Sequence, residues 1–169
     1  MSEIASVERD GSTPARASDD AATSNEGAPL QTLVYISSAR IEMEPLDLRG
    51  ILDKARRNNA RDGVTGALLY AEGGFIQVLE GPPEKVAATF ERIKRDRRHH
   101  SVTVMFDEPV ADRAFRGWDM GFMNADEQTP EAFPLSRSAL EDRMTDLASE
   151  EVRTLLRRFC VSAYPHMPD

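Results

Sequence analysis

VTGALLYAEGGFIQVLE, residues 64–80, consists of two apolar runs joined by a short turn. The runs Val64 to Ala71 and Phe75 to Glu80 are rich in the β-branched, aromatic and large aliphatic residues that are typical of strands. Glu72-Gly73-Gly74 between them is typical of a hairpin, because glycine readily adopts the positive φ angles that tight turns require. The stretch therefore predicts two neighbouring antiparallel strands.

The segments on either side extend this hairpin to a βαββαββ order. Before it we predict a strand from Leu30 to Ser37 and a helix that Pro45 opens. After it we predict a helix beginning near Pro83 and strands from Ser101 to Phe106 and from Gly117 to Met123. The order predicts an α+β fold of the ferredoxin-like kind, in which a five-stranded mixed sheet carries two helices on one face.

Two segments lie outside this pattern. Residues 1–29 contain six acidic residues, two arginines and no aromatic residue, and such a segment buries too little apolar surface to offset its ordering entropy. Residues 125–169 carry a capping box, Ser138-x-x-Glu141, with a helix toward Leu147, and an amphipathic run from Glu151 to Val161. We predict a disordered acidic tail over 1–29, one domain over 30–124 and a C-terminal helical extension over 125–169.

The charge and the cysteine content exclude several classes of protein. Lys+Arg number 21 and Asp+Glu 29, a formal net charge of −8, so we expect neither nucleic acid nor a membrane as a partner. Cys160 is the only cysteine, which excludes an intramolecular disulfide and a cysteine-based zinc site. We interpret it as a small apolar residue of its helix. The sequence has no membrane-spanning run and no signal-peptide pattern, and we expect a cytoplasmic protein.

Motifs of common enzyme classes are missing from the sequence. It has no phosphate-binding glycine loop and no Gly-x-Ser-x-Gly nucleophile motif. Its one close histidine pair, His99-His100, is adjacent and poorly suited to a single metal ion. Hydrolase and nucleotidase functions therefore lose their support, and we predict no catalytic residues and no metal site.

Two polar residues occupy strand positions that this fold would make apolar. Tyr35 shares a strand face with Leu33, and Gln77 lies between Phe75 and Leu79. Alone, Tyr35 is best explained as a half-buried strand tyrosine, but a buried glutamine amide without partners costs about 1–3 kcal/mol. Because the first and third strands are neighbours in a ferredoxin-like sheet, we predict that the phenol and the amide meet.

Two asparagines follow the apolar face of the first predicted helix. A helix C-terminus explains one of Asn58 and Asn59, because asparagine is common there. The second asparagine is available to a planar ligand edge that both donates and accepts hydrogen bonds.

Two further groups of residues allow a plain and a functional interpretation. Asp96, Arg98 and His99 at the end of the second helix suit a solvated face and a phosphate or polyol contact equally well. Trp118 and Met120 lie two residues apart on the predicted fifth strand, and core packing on one strand face explains them unless a site is established independently.

Five blocks of the sequence, taken together, are similar to those of a known family. In chain order they are LVYIS (33–37), ARRNNARDGVTGALLY (55–70), GGFIQVLEG (73–81), DRRH (96–99) and GWDMGF (117–122). Each block alone is weak, but their joint order and spacing over residues 30–124 resemble the BLUF domain, a blue-light sensor using flavin. The resemblance implies a ferredoxin-like fold with an added strand, a flavin between the two helices above the sheet, and no enzymatic activity.

The resemblance also implies roles for the polar residues. Tyr35 and Gln77 would form the photoswitch with Ser37 nearby, and Trp118 and Met120 would report its state. The residues implied to hold the flavin are Asn58 and Asn59 at the ring edge, Ile51 and Ile93 on the two sides of the ring, and Asp96, Arg98 and His99 at the ribityl chain and phosphate. Tyr35 would give an electron and a proton to the excited flavin, and a rotated or tautomerised Gln77 would store the signal.

FAD is the cofactor that we expect, with FMN and riboflavin as alternatives. The family commonly has a serine before the Arg-x-Asn-Asn block, where this chain has Ala55, so one hydrogen bond near the ring edge is expected to be absent. About 45 residues follow the sensor, fewer than a catalytic domain of ~100 residues needs. We therefore expect a short stand-alone sensor that acts through an unidentified protein partner or as a homo-oligomer.

Two functions other than a photosensor are compatible with the sequence. The first is an acylphosphatase-like enzyme, although Ser37-Ser38-Ala39-Arg40 lacks the glycines that usually build an anion cradle after the first strand. The second is a ferredoxin-like dimerisation module without photoactivity, in which Gln77 and the asparagines satisfy each other.

Overall fold

The computed structural model of the chain describes residues 29–124, 142, 146–147 and 150–163. Its elements are β1 (Leu30–Ala39), α1 (Pro45–Asp62), β2 (Thr65–Ala71), β3 (Gly74–Gly81), α2 (Pro83–Lys94), β4 (His99–Val110), β5 (Gly121–Asn124) and α3 (Glu150–Ala163). Almost all of the tail predicted over 1–29 and most of the helix predicted from Ser138 to Leu147 lie outside the described residues. The helix predicted over Glu151 to Val161 is confirmed as α3.

The five strands form one mixed sheet in the order β4-β1-β3-β2-β5. β1 pairs antiparallel with β3 and β4, β2 pairs antiparallel with β3, and β5 pairs parallel with β2. The predicted ferredoxin-like α+β fold is confirmed, with β1 and β3 as neighbours.

Alternate residues of the strands pack into two separate cores, because successive strand side chains point to opposite faces of a sheet. On one face, the front face, strand residues pack against α1 and α2; this core includes Leu33, Tyr35, Leu68, Phe75, Leu79, Leu48, Leu52, Val86 and Phe90. On the other, the back face, strand residues pack against α3; this core includes Val34, Ala67, Leu69, Ile76, Val78, Val152 and Leu156. The two predicted helices therefore share one face, and the C-terminal helix covers the other.

α1 begins and ends at residues suited to helix termini. Pro45 lies in the first turn, where its missing N–H removes no helical hydrogen bond. Gly63 follows the last residue in a left-handed conformation with φ 68°, and its N–H donates to the Asn59 carbonyl. Leu48, Leu52 and Asn59 are the buried residues of α1, so Asn59 is fixed next to the sheet.

None of the described helices combines the length and the apolar character that crossing a membrane requires.

Gly66 allows β2 and β3 to approach closely next to the glutamine of β3. A Cβ atom built at Gly66 would lie 1.9 Å from the Val78 carbonyl oxygen, so no side chain fits between the two strands. Leu68, two residues along β2, is the register partner of Gln77.

β1 and β4 are both longer than the sequence predicts. β4 runs from His99 to Val110 instead of from Ser101 to Phe106, and it pairs with β1 from Leu30 to Ala39. Pairing with β1 extends β4 through residues of low strand propensity, such as Asp107 and Glu108. The longer strand places His99 beside the end of β1.

The fifth strand is shorter than predicted, and the prediction that Trp118 and Met120 share a strand face is wrong. β5 begins at Gly121, so both residues precede it. Residues 114–117 form a turn, in which the Trp118 N–H donates to the Phe115 carbonyl at 3.2 Å. Met120 is buried in the front-face core, whereas Trp118 packs partly buried against the back-face core.

Candidate functional site

A cavity of about 360 Å³ lies between α1, α2 and the front face of the sheet, within the size range of ligand pockets in proteins. Ten of the residues predicted for the site line it: Tyr35, Ser37, Ile51, Asn58, Asn59, Gln77, Ile93, Asp96, Arg98 and His99. Met120 contacts the site through Gln77. Trp118 is not among the lining residues, because it packs on the back face.

The floor of the cavity is a chain of hydrogen bonds that runs from β1 through β3 to Met120, just before β5. Tyr35 and Gln77 are direct register partners of β1 and β3. The Tyr35 hydroxyl donates to Gln77 Oε1, and Gln77 Nε2 donates to the sulfur of Met120 at 3.4 Å. Tyr35 and Gln77 are only 3% and 5% exposed. The predicted meeting of the phenol and the amide is confirmed, and Met120 is the second partner that a buried glutamine amide needs.

The environment of Tyr35 keeps its phenol neutral. Burial raises the pKa of Tyr35 far above its usual range, and the negative charge of Asp96 raises that pKa further. A tyrosinate at this position would be a buried anion that the negative charge of Asp96 destabilises further. Tyr35 can therefore be oxidised at low cost only if its proton leaves together with the electron.

One wall of the cavity is polar because α1 presents its asparagines there. Asn59 is 2% exposed, and its Nδ2 donates to the Asp119 carbonyl at 2.7 Å. Within the described part of the chain, nothing donates to Asn59 Oδ1, so this buried oxygen is available to an N–H group of a ligand. Asn58 lines the cavity one residue earlier and is half-buried. Ile51 of α1 and Ile93 of α2 supply apolar surface to the walls.

His99 is engaged by the protein at both ring nitrogens. Its Nε2 lies 2.8 Å from the Ile93 carbonyl oxygen, and its Nδ1 lies 2.9 Å from the Ser37 hydroxyl. Because a carbonyl oxygen only accepts, Nε2 donates to Ile93, and Nδ1 is the ring nitrogen that contacts the Ser37 hydroxyl. His99 thus connects the end of α2 to β1, and this contact was not foreseen from the sequence.

The mouth of the cavity is basic although the chain as a whole is acidic. Lys54, Arg92, Arg95 and Arg98 line the cavity together with one carboxylate, Asp96. Arg98 binds that carboxylate through its side chain, with Nε 2.9 Å from Oδ1, and through its backbone N–H at 3.0 Å. A surplus of positive charge at the mouth favours an anionic group of a ligand.

Two residues, one beside the cavity floor and one on the opposite face of the sheet, were not identified from the sequence. Arg56 Nε donates to the Met120 carbonyl at 3.0 Å, and Glu80 is a buried carboxylate on β3. Arg56 lies three residues before Asn59, and this spacing places both on one helix face. Glu80 alternates with Ile76 and Val78, so an acid in an apolar strand pattern was the signal for it.

We predict that the Asp96–Arg98 ion pair contributes to the free energy of unfolding in a way that depends on pH. The hydrogen-bonded guanidinium of Arg98 lowers the pKa of Asp96 from 3.8 to about 2. A lowered pKa in the folded state means that the pair stabilises the fold above pH 3.8, and that this contribution is lost as the pH falls toward 2. On acidification from neutral pH to about pH 3, the free energy of unfolding should therefore fall less in Asp96→Asn than in the parent. The difference should be about 1 kcal/mol or less, because solvent screens the pair.

Urea unfolding midpoints at neutral and acidic pH measure this difference. Asp53→Asn, which removes an exposed carboxylate of α1, controls for the change in net charge. Equal acid sensitivity of the parent and Asp96→Asn would show that the pair contributes nothing to acid stability.

The chain is similar to proteins that respond to light. The family described as BLUF, sensors of blue-light using FAD, matches residues 30–121. The photoactivated adenylate cyclase subunit beta of Euglena gracilis is 38% identical over 120 residues, which cover 70% of this chain and 13% of the cyclase. The chain thus spans a small part of the length of this relative.

Two solved structures have the same fold. The dark-state structure of BlrB, a BLUF protein, matches with a TM-score of 0.60 and 31% identity, over 80% of this chain and 98% of BlrB. The structure of Klebsiella pneumoniae BlrP1 with FMN and cyclic diGMP matches with a TM-score of 0.61 and 28% identity, over 80% of this chain and 35% of BlrP1.

Proposed function

Because the chain belongs to the BLUF family of blue-light sensors using FAD, we propose that it is a blue-light photoreceptor that holds a flavin non-covalently between α1 and α2. The observation that carries this proposal is the buried hydrogen-bond chain from Tyr35 through Gln77 to Met120 at the cavity floor. Family membership favours this function over the acylphosphatase-like enzyme and over the dimerisation module without photoactivity.

The residues of the cavity fit a flavin. The ring system of a flavin is planar and apolar on its faces, and one edge both donates and accepts hydrogen bonds. Ile51 and Ile93 offer apolar surface for the faces. The Oδ1 of buried Asn59, to which no group of the described residues donates, offers an acceptor for the imide N–H. Asn58 is the residue that we assign to a ring carbonyl.

The basic mouth supports a flavin that carries phosphate. Arg98, Lys54, Arg92 and Arg95 are exposed residues that line the cavity, where a phosphate of the ribityl chain would be stabilised. The family description names FAD, and FMN is present in the BlrP1 structure. We therefore propose FAD or FMN rather than riboflavin, held by Arg98 and Asp96 at the tail. His99 would act by fixing Ser37 and Ile93, since both of its ring nitrogens are engaged.

The photochemistry uses the groups at the cavity floor. When bound, the flavin supplies absorption of blue light and a strongly oxidising excited state. Tyr35 would give an electron to this excited state while its proton moves along the existing hydrogen bond to Gln77 Oε1, and both the electron and a proton would return to Tyr35 as Gln77 rearranges. Gln77 then rotates or tautomerises, which changes the hydrogen bonds that it offers without moving the backbone. In the rotated form an oxygen would face the Met120 sulfur in place of the present N–H donor.

The light-induced change would act on a protein partner or change the self-association of the chain. The related Euglena protein is a photoactivated adenylate cyclase, and BlrP1 was solved with cyclic diGMP. We propose that this chain likewise regulates a downstream protein in the cytoplasm, through α3 on the back face and as a homo-oligomer. No catalytic step is assigned to the chain itself.

A visible absorption spectrum in the dark and after blue light tests the proposed function. We expect a yellow protein whose flavin band moves to the red on illumination and returns in the dark, because a changed Gln77 alters the hydrogen bonds at the ring edge. Heat release of the pigment and its chromatographic comparison with FAD, FMN and riboflavin identify the flavin. A flavin-loaded protein with identical spectra in light and dark contradicts the proposal. A colourless protein that hydrolyses acyl phosphates would support the enzyme instead.

A further inference from the structure

Residues 114–120 form a segment that runs from the back face of the sheet to the front face; we call it the crossing segment. Ala114 and Phe115 are buried in the back-face core, and Met120 is buried in the front-face core. We propose that Glu80 is a positioning residue that anchors the back-face end of the crossing segment, so that a displacement of Met120 reaches α3. This inference rests on the proposed photoreceptor function.

Glu80 binds the turn at the start of the crossing segment. Its side chain lies on the back face at the end of β3 and is 1% exposed. Its carboxylate accepts hydrogen bonds from the backbone N–H groups of Ala114 at 3.1 Å and Phe115 at 2.8 Å, and from the Thr32 hydroxyl at 3.3 Å. A buried carboxylate is costly unless such donors satisfy it, so these bonds fix the turn to β3.

Arg113 strengthens this attachment without bonding to the Glu80 carboxylate. Its guanidinium donates to the Glu80 backbone carbonyl at 3.1 Å, to the Thr65 hydroxyl at 3.0 Å and to the Gly63 carbonyl at 2.7 Å. The residue before the turn is thus tied to β2, to β3 and to the end of α1.

The other end of the crossing segment is held at the cavity. Arg56 Nε donates to the Met120 carbonyl at 3.0 Å, and Asn59 Nδ2 donates to the Asp119 carbonyl at 2.7 Å. The Gly66 N–H of β2 donates to the Trp118 carbonyl at 2.9 Å in the middle. Gln77 donates to the Met120 sulfur. Two β3 residues, Gln77 and Glu80, therefore hold the same short segment from opposite faces of the sheet.

The crossing segment contacts the core that carries α3. The Phe115 and Trp118 rings lie 5.8 Å apart between centroids. Phe115 belongs to the back-face core that includes Val152 and Leu156 of α3, and Trp118 packs against this core. While Glu80 holds Phe115 in place, a shift of Met120 must change how Trp118 packs against this core. Without the anchor the turn would move with Trp118, and the shift would be absorbed before it reached α3.

A carboxylate suits this position better than an amide. The two oxygens of the Glu80 carboxylate each accept one hydrogen bond from the turn, one from the Ala114 N–H and the other from the Phe115 N–H. Glutamine has nearly the same shape but presents an NH₂ group to one of these donors, so Glu80→Gln loses one bond and gains a repulsive contact. The variant is therefore a selective test of the anchor, on the face opposite the flavin cavity.

The experiment uses the full flavin-loaded chain and three readouts in the parent and Glu80→Gln. These are the light-induced red shift, the hydrogen exchange of the 114–117 and 150–163 amides in dark and light, and the fluorescence of Trp118, the only tryptophan. We expect Glu80→Gln to keep the red shift. The Ala114 and Phe115 amides of this variant should exchange hydrogen about tenfold faster than those of the parent in the dark. The variant should also lose most of the light-induced change in the hydrogen exchange of α3. Glu84→Gln, on an exposed acid of α2, should behave as the parent does.

The outcomes separate this inference from the proposed function. A parent without a red shift overturns the photoreceptor and the transmission together. A parent that responds normally, with a Glu80→Gln variant whose α3 responds equally, overturns the role of Glu80 alone. If Glu80→Gln does not fold, Thr32→Val removes only the hydroxyl donor and should give a smaller loss of the same kind. An unchanged α3 response in Thr32→Val would then contradict the anchor.

Discussion

Gln77→Leu is expected to give a yellow, flavin-loaded protein that shows no red shift under blue light. Leucine fills a similar volume but has no group to rotate or tautomerise, so the two hydrogen-bonding arrangements at the cavity floor no longer exist. The cavity walls that hold the flavin are unchanged, and pigment content should remain near that of the parent. The measurement is the difference spectrum between light and dark.

The same substitution should lower the free energy of unfolding. It leaves the buried Tyr35 hydroxyl without the acceptor Gln77 Oε1, at a cost of about 1–3 kcal/mol. Gln31→Leu is a matched control, because Gln31 is an amide of β1 that binds Asp107 away from the cavity. It should keep the full red shift. A red shift of normal size in Gln77→Leu would refute the role of Gln77 as the switching group.

Tyr35→Phe is expected to remain yellow and to lose the photoresponse. The substitution removes only the hydroxyl that donates to Gln77, so the proton that must leave with the electron is no longer there. We expect a reduction of at least about tenfold in the yield of the red-shifted state, because phenylalanine is a far weaker electron donor than tyrosine. The loss of the hydroxyl leaves Gln77 Oε1 unsatisfied and should cost about 1–3 kcal/mol of stability.

Tyr70→Phe is the matched control for this experiment. Tyr70 is a buried tyrosine of the same sheet face, and its hydroxyl accepts a hydrogen bond from the Met43 N–H at 3.0 Å. The same atom is deleted, but outside the hydrogen-bond chain of the cavity floor. Tyr70→Phe should lose about 1 kcal/mol of stability and photoswitch normally. Normal switching in Tyr35→Phe, or equal loss in both variants, would show that Tyr35 has no special role.

The cavity floor was predictable because it depends on strand alternation and strand order. A polar residue in an apolar strand pattern identified Gln77, and the ferredoxin-like order placed its strand beside that of Tyr35. The structure confirms both inferences through the direct pairing of these residues. Met120 was also expected near the switch, although its placement on a strand was wrong.

The residues around Trp118 were not predictable, because tertiary hydrogen bonds decide their path. Propensity and spacing predicted a strand from Gly117, but the turn at 114–117 and the Gly66–Trp118 bond hold the chain out of the sheet until Gly121. Arg56 was missed for the same reason, because its partner is a backbone carbonyl remote in sequence. The acid in an apolar strand pattern was a signal for Glu80, but its backbone partners are also remote in sequence.

The position of the crossing segment determines what a response to light requires of the backbone. The segment passes around the sheet beside β2, where the Trp118 carbonyl meets the Gly66 N–H, and no strand pair has to separate for the two faces to communicate. In the proposed mechanism, side-chain rotations within a preserved ladder would therefore be sufficient. The sheet would act as a rigid frame, and recovery in the dark would require no refolding.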